Sequence, residues 1–112
     1  GDSNKVETLY EWETASGIHW REIGDKDIHA KFNGDVMMAR PHGVGTKVYP
    51  DGNKYVGEWI NGLFHGQGIY KVASDGNSYI GEFRIGYLWN GIIKEKDGTI
   101  DYKVVNWKKI KQ

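Results

Sequence analysis

The residues of this chain with chemistry to offer are its histidines and a recurring carboxylate. His42 and His65 stand 23 residues apart, and Glu58 and Glu82 stand 24 apart, with Asp35 a further 23 before Glu58. Imidazole and carboxylate together suit zinc, with His42, His65 and Glu58 or Glu82 as the donors. Paired carboxylates suit acid–base work. Yet each of these residues holds one fixed place in a phrase that the chain repeats. An architectural duty explains them without a metal: histidines at strand starts bonding backbone, carboxylates binding a turn's backbone or a cross-strand cation. His19 and His29 lie outside the repeat and show no ligand spacing.

The remaining motifs point the same way. Gly43-Val44-Gly45 and Gly66-Gln67-Gly68 precede no helix whose N-terminus could hold a phosphate. Asp51-Gly52, Asp75-Gly76 and Asp97-Gly98 have turn spacing, not that of a calcium loop. The chain has no cysteine and no serine-nucleophile motif. The sequence assigns no catalytic residue, no metal site and no cofactor, and an enzyme is not expected.

The elements that must position these residues are strands. Tyr55-Val56-Gly57-Glu58-Trp59 returns as Tyr79-Ile80-Gly81-Glu82-Phe83, and a worn copy, Phe32-Asn33-Gly34-Asp35-Val36, precedes both. A fixed period of this length marks stacked structural units. Within a unit the side chains alternate, a turn pair such as Asn61-Gly62 follows, and His65 to Val72 reads as a second strand. Asp-Gly then closes the unit, so one unit is a hairpin plus a connecting turn. In the first unit Ala39-Arg40-Pro41 replaces Gly62-Leu63-Phe64, which reads as a degenerated turn. In the third, Gly91 matches Gly66 only if one residue is inserted. The flanks, with possible strands at Tyr10-Glu11-Trp12 and Ile18-His19-Trp20 and a last strand near Thr99 to Val105, read as caps over exposed core faces.

Composition bounds the rest. The 112 residues carry 15 Lys+Arg, 15 Asp+Glu and 16 Gly. A formal net charge of zero argues against a nucleic-acid partner, which attracts basic surplus. No apolar run approaches the ~18 residues of a membrane-spanning helix. Gly1-Asp2-Ser3 reads like a cloning remnant, so a removed leader stays open and no compartment is indicated.

At these residues the chain resembles a MORN repeat protein. The pattern is an aromatic, one residue, Gly, Glu, an aromatic, a Gly turn, then His-Gly-x-Gly and a later Asp-Gly. Trp89-Asn90-Gly91 resembles a variant common in bacterial members, and Gly17 to Lys31 resembles leaders of bacterial arrays. The resemblance implies an all-β fold of tandem antiparallel hairpins in one elongated, curved and twisted sheet. Three repeats are expected at 32–54, 55–78 and 79–98, between an N-terminal flank at 1–31 and a C-terminal cap strand and basic tail at 99–112. The Gly between two aromatics should leave a slot for the neighbouring unit's ring.

The expected function is a non-enzymatic scaffold that presents a curved aromatic surface to a protein or peptide. The residues expected to carry it are Tyr55, Trp59, Tyr79 and Phe83 on the concave face, with Phe64 and Trp89 at the rim. Phe64, Tyr87, Leu88 and Trp89 would form an apolar patch there, or else fold over the sheet as core. The alternative is an anionic membrane surface met by Trp107 and its lysines, Lys103, Lys108, Lys109 and Lys111. Self-association through an uncapped edge strand is a further possibility.

Overall fold

In the computed structural model, which describes residues 5–112, every element is a β-strand. The Gly1-Asp2-Ser3 reading lies outside the described residues. The strands are β1 (Lys5–Thr14), β2 (Gly17–Arg21), β3 (Ala30–Met37), β4 (Arg40–Val48), β5 (Lys54–Ile60), β6 (Leu63–Lys71), β7 (Ser78–Arg84), β8 (Tyr87–Lys94), β9 (Ile100–Val105) and β10 (Lys108–Lys111). They form one antiparallel sheet in the order β10-β9-β8-β7-β6-β5-β4-β3-β1-β2. Strands β3 to β10 follow chain order, as stacked hairpins must. Only the first hairpin departs: β1 lies beside β3, and β2 forms the outer edge.

Four hairpins turn in the same way. Met38-Ala39, Asn61-Gly62, Ile85-Gly86 and Asn106-Trp107 each place both central residues at positive φ, the backbone that two-residue hairpin loops demand. The turn at Ala39 therefore has not degenerated. Ala39 at φ 61 stands where Gly62 stands at φ 83, and Pro41 pairs with Val36 as Phe64 pairs with Trp59. The C-terminal flank is likewise a hairpin of this construction. Three of the four turns are tied to the hairpin before them: Gly62 N–H donates to the Pro41 carbonyl, Gly86 N–H to Phe64 and Trp107 N–H to Trp89.

The connections between units are built by Asp-Gly. Asp51, Asp75 and Asp97 each accept a bond from the backbone N–H two residues on. That bond holds the exposed Asp97 carboxyl below its ordinary value.

The core lies on one face, which carries Leu9, Phe32, Val36, Tyr55, Trp59, Phe64 and Phe83. Tyr55 and Phe64 stack with ring centroids 3.8 Å apart, while Trp59 meets Phe32, Tyr55 and Phe64 edge to face. Such pairs add about 0.5–1.5 kcal/mol each to area burial. The slot at Gly57, between Tyr55 and Trp59, is filled by its own unit: a Cβ there would lie 2.5 Å from the Gly68 Cα and 2.7 Å from the Tyr55 hydroxyl. The facing glycines are crowded in the same way: a Cβ on Gly68 would run into the Tyr55 hydroxyl, and one on Gly45 into the Phe32 ring. The link to the preceding unit comes instead from Trp59, whose Nε1 donates to the Gly45 carbonyl at 3.0 Å. Trp20, on β2, packs over Phe32 and Trp59, and its Nε1 would lie 2.8 Å from a Cβ on Gly62.

Candidate functional site

Two of the three recurring carboxylates, Asp35 and Glu58, and His42 are occupied by the backbone. In the first two units, three residues of the second strand face one of the first: His42, Gly43 and Val44 against Asp35, and His65, Gly66 and Gln67 against Glu58. Gly43 at φ 118 and Gly66 at φ 101 make the bulge possible. Asp35 accepts from Val44 N–H at 2.9 Å, and Glu58 from Gln67 N–H at 2.6 Å. His42 Nδ1 accepts from Asn61 N–H of the next turn at 3.2 Å. His19 bonds Ser16, and His29 accepts from Asp25 N–H while stacking on Trp12.

The third unit departs from this plan. Gly91 pairs with Gly81 as Gly68 pairs with Gly57, so its counterpart is Gly68 and not Gly66. One residue is missing between Leu88 and Gly91 relative to Phe64 and Gly68. Glu82 has no long bulge to tie and sits 3.7 Å from Arg84 instead. Asn90 takes the place of His42, accepting from Asn106 N–H at 2.8 Å.

The aromatic face is closed at its centre and open toward the C-terminal strands. Tyr55, Trp59, Phe64 and Phe83 are buried. Phe64, expected at the rim, is interior because Tyr55 stacks on it and Trp59 meets it edge to face. Beyond them lies an open groove of about 650 Å³. Tyr70, Tyr79 and Ile93 line its floor, Tyr87 and Leu88 its lip, and Trp107 and Lys109 its far end. Tyr87 is 72% exposed and Trp107 48%. Of the rim pair, Trp89 is elsewhere. It stacks on Arg84, with the guanidinium 3.2 Å from the ring centre, and strand alternation puts Arg84 on the face opposite Phe83.

The basic tail does not form one patch. Lys109 pairs with Val104 and Lys111 with Tyr102, on the aromatic face. Lys108 pairs with Val105 and Lys103 with Ile110, one residue out of phase and so on the other face. Lys111 is bound by Asp101 at 2.8 Å, and that hydrogen bond raises its pKa.

Sequence reasoning missed Lys47. It stands on the aromatic face beside Tyr55, where the next unit has Tyr70, and is only 5% exposed. Its ammonium reaches Glu11 at 2.9 Å and lies 4.3 Å from the Tyr49 ring centre. Desolvation lowers its pKa, and the Glu11 charge opposes that shift. The signal was a break of period, a lysine in a place where the neighbouring unit is aromatic. Among the described residues no group of three or more His, Asp or Glu is placed to hold a metal.

A single sheet of stacked hairpins, with one aromatic face and turn-to-turn bonds, defines a hairpin-repeat module. Two of its units, residues 32–54 and 55–76, match the MORN repeat family. Part of the chain is 48% identical over 62 residues to the ALS2 C-terminal-like protein of Bos taurus, which is 55% of this chain and 6% of that protein. It is 36% identical over 63 residues to the inactive protein tyrosine kinase pTKL of Plasmodium berghei, 55% of this chain and 5% of that one. It is 38% identical over 45 residues to human alsin, 40% of this chain and 3% of alsin. The chain thus spans a small fraction of the curated relatives it matches. These relatives are eukaryotic and lend no support to the bacterial resemblance of Trp89-Asn90-Gly91.

Proposed function

We propose that this chain is a non-enzymatic binding module whose partner is a protein or peptide seated in the groove of the aromatic face. One observation carries the reading. The aromatic face that is sealed around Tyr55 stands open from Tyr70 to Trp107, leaving about 650 Å³ lined by aromatic and aliphatic side chains. Exposed apolar concavities of this kind mark interaction sites. Residues 79–98 serve as a third repeat, and its shortened bulge helps to set the groove lip. Tyr79, Leu88 and Trp107 join Phe64 and Phe83 as the contact residues lining the groove, whereas Tyr55 and Trp59 are sealed in the core and do not line it.

A photo-crosslinking residue at Tyr79, compared with one at Ile69 on the opposite face, tests this in cells of the source organism. Polypeptide adducts at Tyr79 and none at Ile69 are expected. Equal adducts at both positions, or none at Tyr79, would sink the proposal.

A second reading, docking on anionic lipid, is favoured by the exposure of Trp107. It is weakened by the division of the four lysines between two faces. Self-association through the β10 edge is opposed by three lysines on a four-residue strand.

A further inference from the structure

We propose that the groove takes an extended apolar segment bearing one acidic side chain, with the carboxylate on Lys109 and an adjoining apolar side chain clamped between Trp107 and Tyr87. This rests on the groove being the partner surface.

The charge argument comes first. Lys109 is the one charged residue that lines the groove. Its two aromatic-face neighbours in kind are neutralised, Lys47 by Glu11 and Lys111 by Asp101. Among the described residues Lys109 has no carboxylate within ion-pair distance, and its ammonium hangs 5.2 Å from the Tyr102 ring centre. An uncompensated cation at the end of an apolar hollow favours a partner that brings an anion there.

Trp107 supplies the second argument. It occupies the turn position held by Gly62 and Gly86 in earlier hairpins, at φ 73. A bulky residue in this conformation is locally strained, and half of it remains in solvent, so core packing does not account for it. Strain kept at an exposed aromatic is what a clamp surface shows.

Dimensions and backbone settle the form of the ligand. From β6 to β10 there are four strand steps, about 19 Å at ~4.8 Å each, which an extended chain covers in roughly six residues. A chain terminus would need free backbone amides to cradle its carboxylate. The turn amides here are spent: Gly86 N–H on Phe64 and Trp107 N–H on Trp89. The acid is therefore a side chain of a passing segment.

The test is fluorescence anisotropy with acetylated, amidated octapeptide pools of Leu, Ile, Phe, Tyr and Pro, carrying a single Glu, Gln or Lys. The Glu pool should bind at least tenfold tighter than the Gln pool, and Lys109→Glu should move the preference to the Lys pool. Trp107→Gly should weaken binding about tenfold while raising the melting temperature, opposite signs that a packing role cannot produce. Equal binding of all three pools, lost on Tyr79→Ala, overturns the charge assignment and leaves the groove reading standing. No binding, or binding indifferent to Tyr79→Ala, overturns both. A free C-terminal carboxylate that binds tighter than the capped Glu pool overturns the side-chain assignment. Capture by phosphatidylserine vesicles that Lys103→Gln/Lys108→Gln abolishes overturns the peptide in favour of lipid. A lower melting temperature for Trp107→Gly overturns the clamp.

Discussion

Glu11 and Lys47 reach one another across the intervening strand β3, with carboxylate and ammonium 2.9 Å apart and almost no solvent between them. The pair joins the unrepeated N-terminal hairpin to the first repeat. Rings of Trp20, Tyr49 and Phe64 surround the ammonium. Removing one partner strands a buried charge, whereas removing both does not. Glu11→Gln should therefore lose about 3 kcal/mol of folding stability. Glu11→Gln/Lys47→Met should recover most of that in urea unfolding. A double variant no better than the single one would contradict this account.

The same pair and two tyrosines set opposing slopes in alkali. The Lys47 pKa is lowered on folding, chiefly by desolvation. Between its folded value and the ordinary 10.5 the unfolded chain binds more protons, so stability rises with pH. Burial raises the pKa of Tyr49 and Tyr55. Above about pH 10 the unfolded chain has lost those protons and the native one has not, so stability falls by up to about 1.4 kcal/mol per pH unit for each phenol. Denaturant midpoints from pH 8 to 12 should thus pass through a maximum. The Glu11→Gln/Lys47→Met variant should show only the decline.

Glycines 45 and 68 are required for space. Gly45→Ala and Gly68→Ala would drive a methyl into the Phe32 and Tyr55 rings, at about 3 kcal/mol, the upper part of the overpacking range. Trimming the ring should compensate: Gly45→Ala/Phe32→Leu should lose less than the sum of the two single changes when thermal unfolding is compared.

Met38 and Ala39 form a turn in a conformation that favours Asn and Gly. Each non-glycine residue there carries about 1–2 kcal/mol of local strain. Met38→Asn/Ala39→Gly should raise stability by about 1–2 kcal/mol, read as a higher melting temperature with the strand spectrum unchanged.

Phe64 and Tyr87 should separate fold from function. Phe64→Ala removes a ring stacked inside the core and should lose about 3–5 kcal/mol. Tyr87→Ala should stay within about 0.5 kcal/mol of the parent and lose partner binding. A stable Phe64→Ala protein with intact binding would refute the placement of the core.

The fold was legible because its signals are local. Alternation, Asn-Gly and Asp-Gly turns and a recurring aromatic each report on a single hairpin, and hairpins stack in chain order. The site was less legible because it depends on register. Trp89 follows Leu88, which pairs with Phe83 on the aromatic face, so alternation sends the indole to the far face; only the register shows which of the two neighbours faces inward. Phe64 read as a rim residue because its turn neighbours are polar. Its burial comes from Tyr55 on the adjacent strand. Trp107 was noticed for the lysines around it, while its importance lies in the glycine position it fills. Lys47 was overlooked because a lone lysine in a strand reads as solvated, and its carboxylate partner lies 36 residues away in chain.

The indole of Trp20 resting against Gly62 has a kinetic consequence. From β7 to β10 each strand pairs with its neighbours in chain, so a hairpin at the C-terminal end can detach without disturbing the rest. Trp20 bridges 42 positions and binds the first hairpin to the second repeat, so strands β1 to β6 must open together. Amide hydrogen exchange should accordingly be slow and uniform through β6 and quicken stepwise from β7 to β10. The face left open for a partner is then also the last to fold and the first to breathe. A ligand that spans it would be felt as slowed exchange in the final two hairpins.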